Sequence, residues 1–356
     1  MKGFKKFLIF CLFLIAIASI GAGVGWMYFT SPVNPNSKKD VKVEIKSNTN
    51  STKIAETLKR KDLIKSILIF KIYLKVNNIN NLKASNYTFN KSMTMEEIVD
   101  ALQKGVVTNE NDIKVTFKDG LRVTDYATVI ANNFNKEYDI VLDVFKDREY
   151  AKTLIEKYWF LTDKILDESI YYPLEGYLAP ETYYFEKDST IESIIIKMLD
   201  QTETILEDYK EKMSSDPHYY MTMASIVQLE GTNSENRKMI TGVFENRLNS
   251  GMNLGSDVTT YYALQESMTI DLTKDQFNTE NQYNTRGPNM IGKMPIGPIC
   301  NPNAGSIEAA VNPTANEYYF FVADKNGEIY FTKTNAEHDQ KVAELKANGL
   351  WIEFSN

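Results

Sequence analysis

The sequence predicts an α+β protein in three parts: one apolar N-terminal helix, a small β-α-α-β-α unit, and a larger α+β unit with long polar loops. Three observations predict it. The run from Phe7 to Phe29 carries no charged side chain; the stretch from Val41 to Gln103 switches between alternating and helical patterning; and a polar segment, Thr108-Asn-Glu-Asn-Asp112, precedes a second set of strands and helices. With 356 residues, 43% of them hydrophobic, the chain can bury the cores of two or three domains.

The apolar run is about 23 residues long, against the ~20 that a bilayer requires, and reads as a single transmembrane helix over 7–29. The rival, a cleaved signal peptide, has an apolar core of about 7 to 15 residues ending at small residues such as Ala16-Ile-Ala18; here the apolar run continues well beyond them. Lys2, Lys5 and Lys6 place residues 1–6 in the cytoplasm by the positive-inside rule and everything after Thr30 outside. Gly21 and Gly25 form a G-x-x-x-G pair, a pattern too common in such helices to imply dimerisation. Residues 30–40, with two prolines and no apolar periodicity, read as an exposed tether.

The small unit, 41–108, opens with Val41-Lys-Val-Glu-Ile45, which alternates as a half-buried strand does. Ser51 or Thr52 can cap a helix to about Lys59, a second helix runs from about Leu63 to Val76, and a strand lies near Tyr87-Thr-Phe89. A capping box, Thr94-x-x-Glu97, then opens a helix to Gln103. Strand, two helices and strand in this compass resemble the LysM-type module that grips N-acetylglucosamine-containing chains; a structural spacer of the same topology fits equally.

The larger unit, 109–356, begins with Ile113-Lys-Val-Thr-Phe117 and a turn at Gly120. Helices are expected from about Thr124 to Asn133 and from about Thr190 to Lys212, and a loop rich in Asn, Gly and Pro from Asn278 to Pro313. So long a loop inside a compact domain suggests function. A β-hairpin follows, its strands Tyr318–Val322 and Glu328–Thr332 joined through Asn326-Gly327, and then a helix over Ala336–Ala347, capped by Asn335 and stopped by Gly349.

Composition excludes several functions. A net charge of −7 without a basic cluster argues against nucleic acid. His218 and His338 have no Cys or His at ligand spacing, so no metal or other cofactor is expected. Cys11 falls in the apolar run, leaving Cys300 as the one thiol outside, read as buried and inert and with no intrachain partner.

The most informative segment is Met221-Thr-Met-Ala-Ser-Ile-Val-Gln-Leu-Glu230-Gly-Thr-Asn-Ser-Glu235-Asn-Arg237, a helix running into a helix start. Gly231 sits where a left-handed C-terminal cap belongs, and Thr232-x-x-Glu235 reads as a capping box. A carboxylate at that junction feels the negative end of the helix dipole, and Ile226 and Leu229 desolvate it. Both raise its pKa, as a general acid needs. The same features also describe an uncomfortable surface acid.

The run Ala224-Ser-Ile-Val-Gln-Leu-Glu230, then Glu235-x-Arg237, Val243-Phe-Glu-Asn-Arg-Leu248 and Gly251-Met-Asn-Leu-Gly-Ser-Asp257, resembles the endolytic murein transglycosylase family, also called YceG-like. Leu174-Glu-Gly-Tyr-Leu-Ala-Pro-Glu-Thr-Tyr183, Tyr283-Asn-Thr285, the Met294–Pro302 run, Tyr319–Asp324 and Asn335-x-x-His338 follow in the family's order. The resemblance spans Val41 to the C-terminus. It implies an anchored protein with a LysM-like subdomain and an α+β catalytic domain, acting on peptidoglycan glycan strands beside the synthases that make them. It also implies that Glu230, closing the Ile-Val-x-x-Glu motif, is the catalytic acid and base. Gln228 departs from the second glutamate that many members carry, which favours Glu230 working alone.

Other candidates surround it. Asp257 either steadies developing charge or caps its own turn. Tyr283, Asn284 and Thr285 suit substrate contact, an aromatic face with amides beside it, while Glu175 and Glu235 are weaker substrate-binding candidates, Glu235 doubling as the capping-box partner of Thr232. Two other functions remain open: a glycan-binding scaffold without catalysis, and a muramidase that delivers water, which needs a second carboxylate such as Asp257 or Glu235.

Overall fold

The computed structural model describes residues 23, 25–37, 39–45, 49–79, 81–105 and 112–351, and the chain divides into two compact units, residues 1–111 and 112–356. The expected membrane span lies mostly outside the described residues, which take in 23 and 25–29 of it. Among the described residues no helix is long and apolar enough to cross a membrane.

In the first unit a helical segment, α1 (residues 25–30), leads to β1 (Asp40–Ile45), α2 (Ser51–Arg60), α3 (Ile67–Val76), β2 (Ser85–Asn90) and α4 (Met95–Lys104). β1 and β2 pair antiparallel, Val43 opposite Tyr87, and alternate residues Val43, Ile45, Tyr87 and Phe89 bury against Ile54, Leu58, Phe70, Ile98 and Leu102. The order β-α-α-β-α is the one the patterning predicts. The box at α4 forms as written, Glu97 N–H donating to Thr94 and the Glu97 carboxylate accepting from the Thr94 N–H. Elsewhere the caps shift by a residue or more: Asn50 caps α2, and Ser66 delays the start of α3 past Leu63. The tether is not wholly free, because Asn34 N–H donates to Lys91 O at 2.9 Å.

The second unit is mainly helical. β3 (Asp112–Thr116) pairs antiparallel with β4 (Thr182–Glu186), and between them lie α5 (Val123–Phe134), α6 (Tyr138–Lys146) and α7 (Arg148–Ile155). Then come α8 (Ile191–Leu206), a short α9 (Lys210–Met213), α10 (Pro217–Glu230), α11 (Ser234–Asn249), α12 (Asp257–Ala263), a single turn α13 (Lys274–Phe277) and α14 (Ala304–Val311). The hairpin β5 (Phe320–Ala323) and β6 (Ile329–Thr332) precedes α15 (Asn335–Ala347), which Thr334 caps in a box with Glu337 in place of Asn335.

α10 is the axis of this unit, with Met221 to Val227 all buried. Asp216 caps it and Pro217 occupies its first turn, where a missing N–H costs nothing. α14 packs on both α10 and α11, which corrects the expectation of one continuous loop from 278 to 313. Asn303 caps it, and its alanines Ala309 and Ala310 are small enough to seat it against the core.

Candidate active site

Glu230 is the last residue of α10, and the chain leaves the helix there because Gly231 is extended, at φ −107° and ψ 135°. The expected left-handed cap is therefore corrected. The glycine serves close approach instead: a Cβ on it would lie 2.5 Å from Arg237 Cγ and 3.1 Å from the Arg237 backbone nitrogen. Arg237 Nε in turn donates to Gly231 O at 3.0 Å. Nor does the box at Thr232 form; Asn233 caps α11, accepting from Asn236 N–H, and Glu235 is an exposed residue of the first turn.

The Glu230 carboxyl, half-buried, accepts from the Ser256 hydroxyl at 2.5 Å. Ser256 stands at the N-cap position of α12 yet makes no cap bond with its side chain, whose hydroxyl hydrogen goes to Glu230. Burial pushes the Glu230 pKa above the usual carboxylate range; the Ser256 hydrogen bond opposes this, the Asp257 charge adds to it, and Arg247 and Arg286 oppose it. Asp257 is the first residue of α12 and is ion-paired with Arg286 Nε, whose guanidinium lies 5.5 Å from the Phe277 ring. Arg247 spans from α11 to the loops, donating to Leu254 O at 2.5 Å and Tyr319 O at 2.6 Å.

The loop residues expected to touch substrate form the wall behind this carboxyl. Tyr283, Asn284 and Thr285 are all 1% exposed or less. Thr285 Oγ1 accepts from Ser256 N–H at 3.0 Å and shares a hydrogen bond with Thr259 at 2.8 Å. Asn284 accepts from Thr260 at 2.6 Å and donates to Phe277 O and Thr279 O. The Tyr283 ring packs edge-on against Tyr262, 4.8 Å between centroids. Through these bonds Asn284 and Thr285 support α12 from behind.

Glu175 is likewise buried. It accepts from Val123 N–H at 3.0 and 3.2 Å and from Tyr262 O–H at 3.1 Å, and burial pushes its pKa up to about 8. Cys300 is fully buried, its thiol pushed well up by that burial and donating to Ser225 O at 3.2 Å. Gln228 Nε2 donates to Asp119 at 2.9 Å while its Oε1 accepts from Asn303 N–H at 3.0 Å and Ser306 O–H at 2.7 Å. A cavity of about 530 Å³ beside His218 and Ile296 sits at the other end of α10, roughly 18 Å along the helix from Glu230 at ~1.5 Å per residue.

The sequence profile of the YceG-like family matches residues 43–344. The chain belongs to the YceG-like family. An endolytic murein transglycosylase of Bacillus subtilis (strain 168) is 35% identical to it over an alignment covering 87% of this chain and 86% of that protein. An endolytic murein transglycosylase of Streptococcus pneumoniae serotype 2 (strain D39) is 33% identical over 96% of this chain, which spans only 65% of the streptococcal protein's length. A crystal structure of a yceG-like protein from Listeria monocytogenes, 34% identical, superposes with a TM-score of 0.60 and covers 86% of this chain and 100% of its own. In this YceG-like chain, sequence reasoning singled out Glu230 and Asp257 but missed Ser256, Arg247 and Arg286. Each lies within two residues of a candidate or inside a motif already quoted, and only the fold shows their side chains converging.

Proposed function

We propose that this chain is a lytic transglycosylase that cuts the β-1,4 bond between N-acetylmuramic acid and N-acetylglucosamine within peptidoglycan strands. The relatives from S. pneumoniae and B. subtilis, named endolytic murein transglycosylases, support the reading. The observation that carries it is the Glu230 carboxyl: raised in pKa by burial, held by Ser256, and accompanied by an Asp257 already paired with Arg286.

Glu230, protonated, gives its proton to the glycosidic oxygen as the bond to muramyl C1 breaks. The resulting carboxylate takes the proton of the muramyl C6 hydroxyl, whose oxygen closes on C1 to form a 1,6-anhydro ring. The substrate supplies the nucleophile, so no second carboxylate is required, in contrast to hydrolysing glycosidases. Asp257, half-exposed and ion-paired, is assigned to steadying Arg286 and the positive charge that develops on the sugar ring. Ser256 and Arg247 position and tune Glu230, and Glu175, Tyr283, Asn284 and Thr285 hold α12 in place from behind. Glu235, exposed at the start of α11, remains a candidate for sugar contact at the rim.

We assign the apolar run 7–29 to an uncleaved membrane anchor that leaves the rest of the chain extracytoplasmic, and the first unit to a LysM-like glycan-binding role. An active site held near the membrane meets strands as they are polymerised. The activity would then terminate elongation, with peptidoglycan synthases as partners.

The test is mass spectrometry of purified strands after incubation with the full chain in detergent, beside Glu230→Gln. Anhydromuramyl ends from the wild type alone are expected. Reducing ends would substitute the muramidase reading, and binding without cleavage by either protein would substitute the scaffold.

A further inference from the structure

α3 carries an apolar stripe that its own unit does not cover. Leu68, Ile72 and Val76, spaced four apart and so on one face of the helix, are 66%, 38% and 65% exposed, while the opposite face buries Phe70 and Leu74. Lys71 and Lys75, both exposed, border the stripe on one side. On the other, Tyr73 stacks against Trp26 of α1, the centroids 6.0 Å apart and the planes 15° from parallel.

α1 is therefore packed on the same helix that bears the stripe, and α1 is the end of the apolar run. Lys65, just ahead of α3, fastens the contact: its ammonium donates to Tyr28 O and to the Ser31 hydroxyl, each at 2.8 Å, and lies 4.3 Å from the centre of the Tyr28 ring. Met27 and Tyr28 on α1 are themselves 66% and 60% exposed. The chain between α1 and β1 adds no slack at Asn34, which is tied to Lys91.

We infer that α3 lies on the outer surface of the membrane, Leu68, Ile72 and Val76 dipping into the boundary between headgroups and acyl chains. This rests on the assignment of 7–29 as an anchor. If the run spans the bilayer, Trp26, Tyr28 and Phe29 fall at its interface, where aromatic rings with a polar edge settle. α3, clamped to them, has no distance in which to leave that depth. An apolar stripe flanked by lysines is the composition of a helix lying in the interface, and Lys71 and Lys75 would meet anionic phosphates. Glu96 and Asp100 of α4 raise the Tyr73 pKa, after the burial that raises it most. The occupant of the stripe is thus a lipid surface with anionic headgroups, and the first unit is held at the membrane rather than swinging on a free tether.

The experiment uses the full chain in nanodiscs of phosphatidylglycerol and phosphatidylcholine, in a Cys11→Ser background that leaves only the buried Cys300. An environment-sensitive fluorophore is placed by Leu68→Cys, Ile72→Cys or Val76→Cys, with Glu56→Cys on α2 as control. Blue-shifted emission, quenched by lipids carrying a nitroxide at shallow depth, is expected at the three stripe positions and not at the control. Solvent-like emission at all three, from protein that resists alkaline extraction, would overturn the docking while leaving the anchor intact. A blue shift that grows with the number of copies per disc and ignores lipid quenchers would assign the stripe to a second copy instead. Extraction of the whole chain at alkaline pH would overturn the anchor and the docking together.

Discussion

Ser256 gives its hydroxyl hydrogen to Glu230 and makes no side-chain bond to its own helix, so the start of α12 and the end of α10 are joined through a half-exposed carboxyl that is raised in pKa. A hydrogen bond donated to the carboxylate form favours that form. Ser256→Ala should therefore raise the Glu230 pKa further, moving the alkaline limb of the activity profile to higher pH. It should also cut kcat by about tenfold or more, the scale of losing one oriented hydrogen bond of roughly 1.4 kcal/mol. A profile that keeps its midpoint while activity drops would assign Ser256 to folding alone.

Gln228 sits two residues before Glu230 with both its side-chain nitrogen and its oxygen engaged: the nitrogen donates to Asp119, and the oxygen accepts from Asn303 N–H and the Ser306 hydroxyl. Gln228→Glu removes the donor and sets a carboxylate against Asp119, a change expected to cost about 1–2 kcal/mol near neutral pH. Adding Asp119→Asn should return most of that loss, because the new amide can donate across the same gap. Urea midpoints of the two single variants and the double variant close the cycle; strictly additive losses would show that the two side chains do not interact.

These residues also show what the sequence made legible. The Thr94–Glu97 box formed as read because both partners lie within one turn, and the helix–glycine–helix junction put Glu230 at a helix end. What was not legible depends on contacts distant in sequence. Gly231 looked like a left-handed cap, and only the seating of Arg237 against it reveals the real constraint. A tyrosine with two polar neighbours reads the same whether it lies on a surface or in a core; the burial of Tyr283, Asn284 and Thr285 comes from packing against α12, far away in sequence. α14 was hidden among asparagines, prolines and Gly305, and forms because Asn303 caps it and α10 and α11 cover it.

Glu175 imposes a pH dependence on stability. Its folded pKa of about 8 stands above the ordinary 4.5, so between those values the folded chain holds a proton that the unfolded chain has released. Stability from this group is complete below about pH 4.5 and is lost as pH rises toward 8, each unit being worth about 1.4 kcal/mol. Glu175→Gln keeps an oxygen for Val123 N–H and removes the titration. Urea unfolding at pH 5 and pH 8 should show a drop on the order of a few kcal/mol for the wild type and a much smaller one for the variant. Equal drops in both would assign the pH dependence to other groups.

Gly231→Ala distinguishes the two accounts of that glycine. An alanine is at ease at φ −107°, so nothing in the backbone opposes it; the obstacle is the Arg237 side chain 2.5 Å from the new methyl. The start of α11 must move to admit it, at an expected cost of about 1–3 kcal/mol, and Glu230, one residue away, moves with the junction. Activity should fall more than stability, since a displacement of about an ångström at a catalytic group can cost a hundredfold. Pairing the change with Arg237→Ala deletes the Cγ in the way and should recover part of both losses, leaving the milder approach of the backbone nitrogen at 3.1 Å. Gly231→Asn supplies the contrasting outcome. Asparagine tolerates a left-handed cap but is bulkier than alanine, so it should do at least as much harm as Gly231→Ala; an asparagine variant that unfolds and turns over like the wild type would restore the cap and sink the steric account.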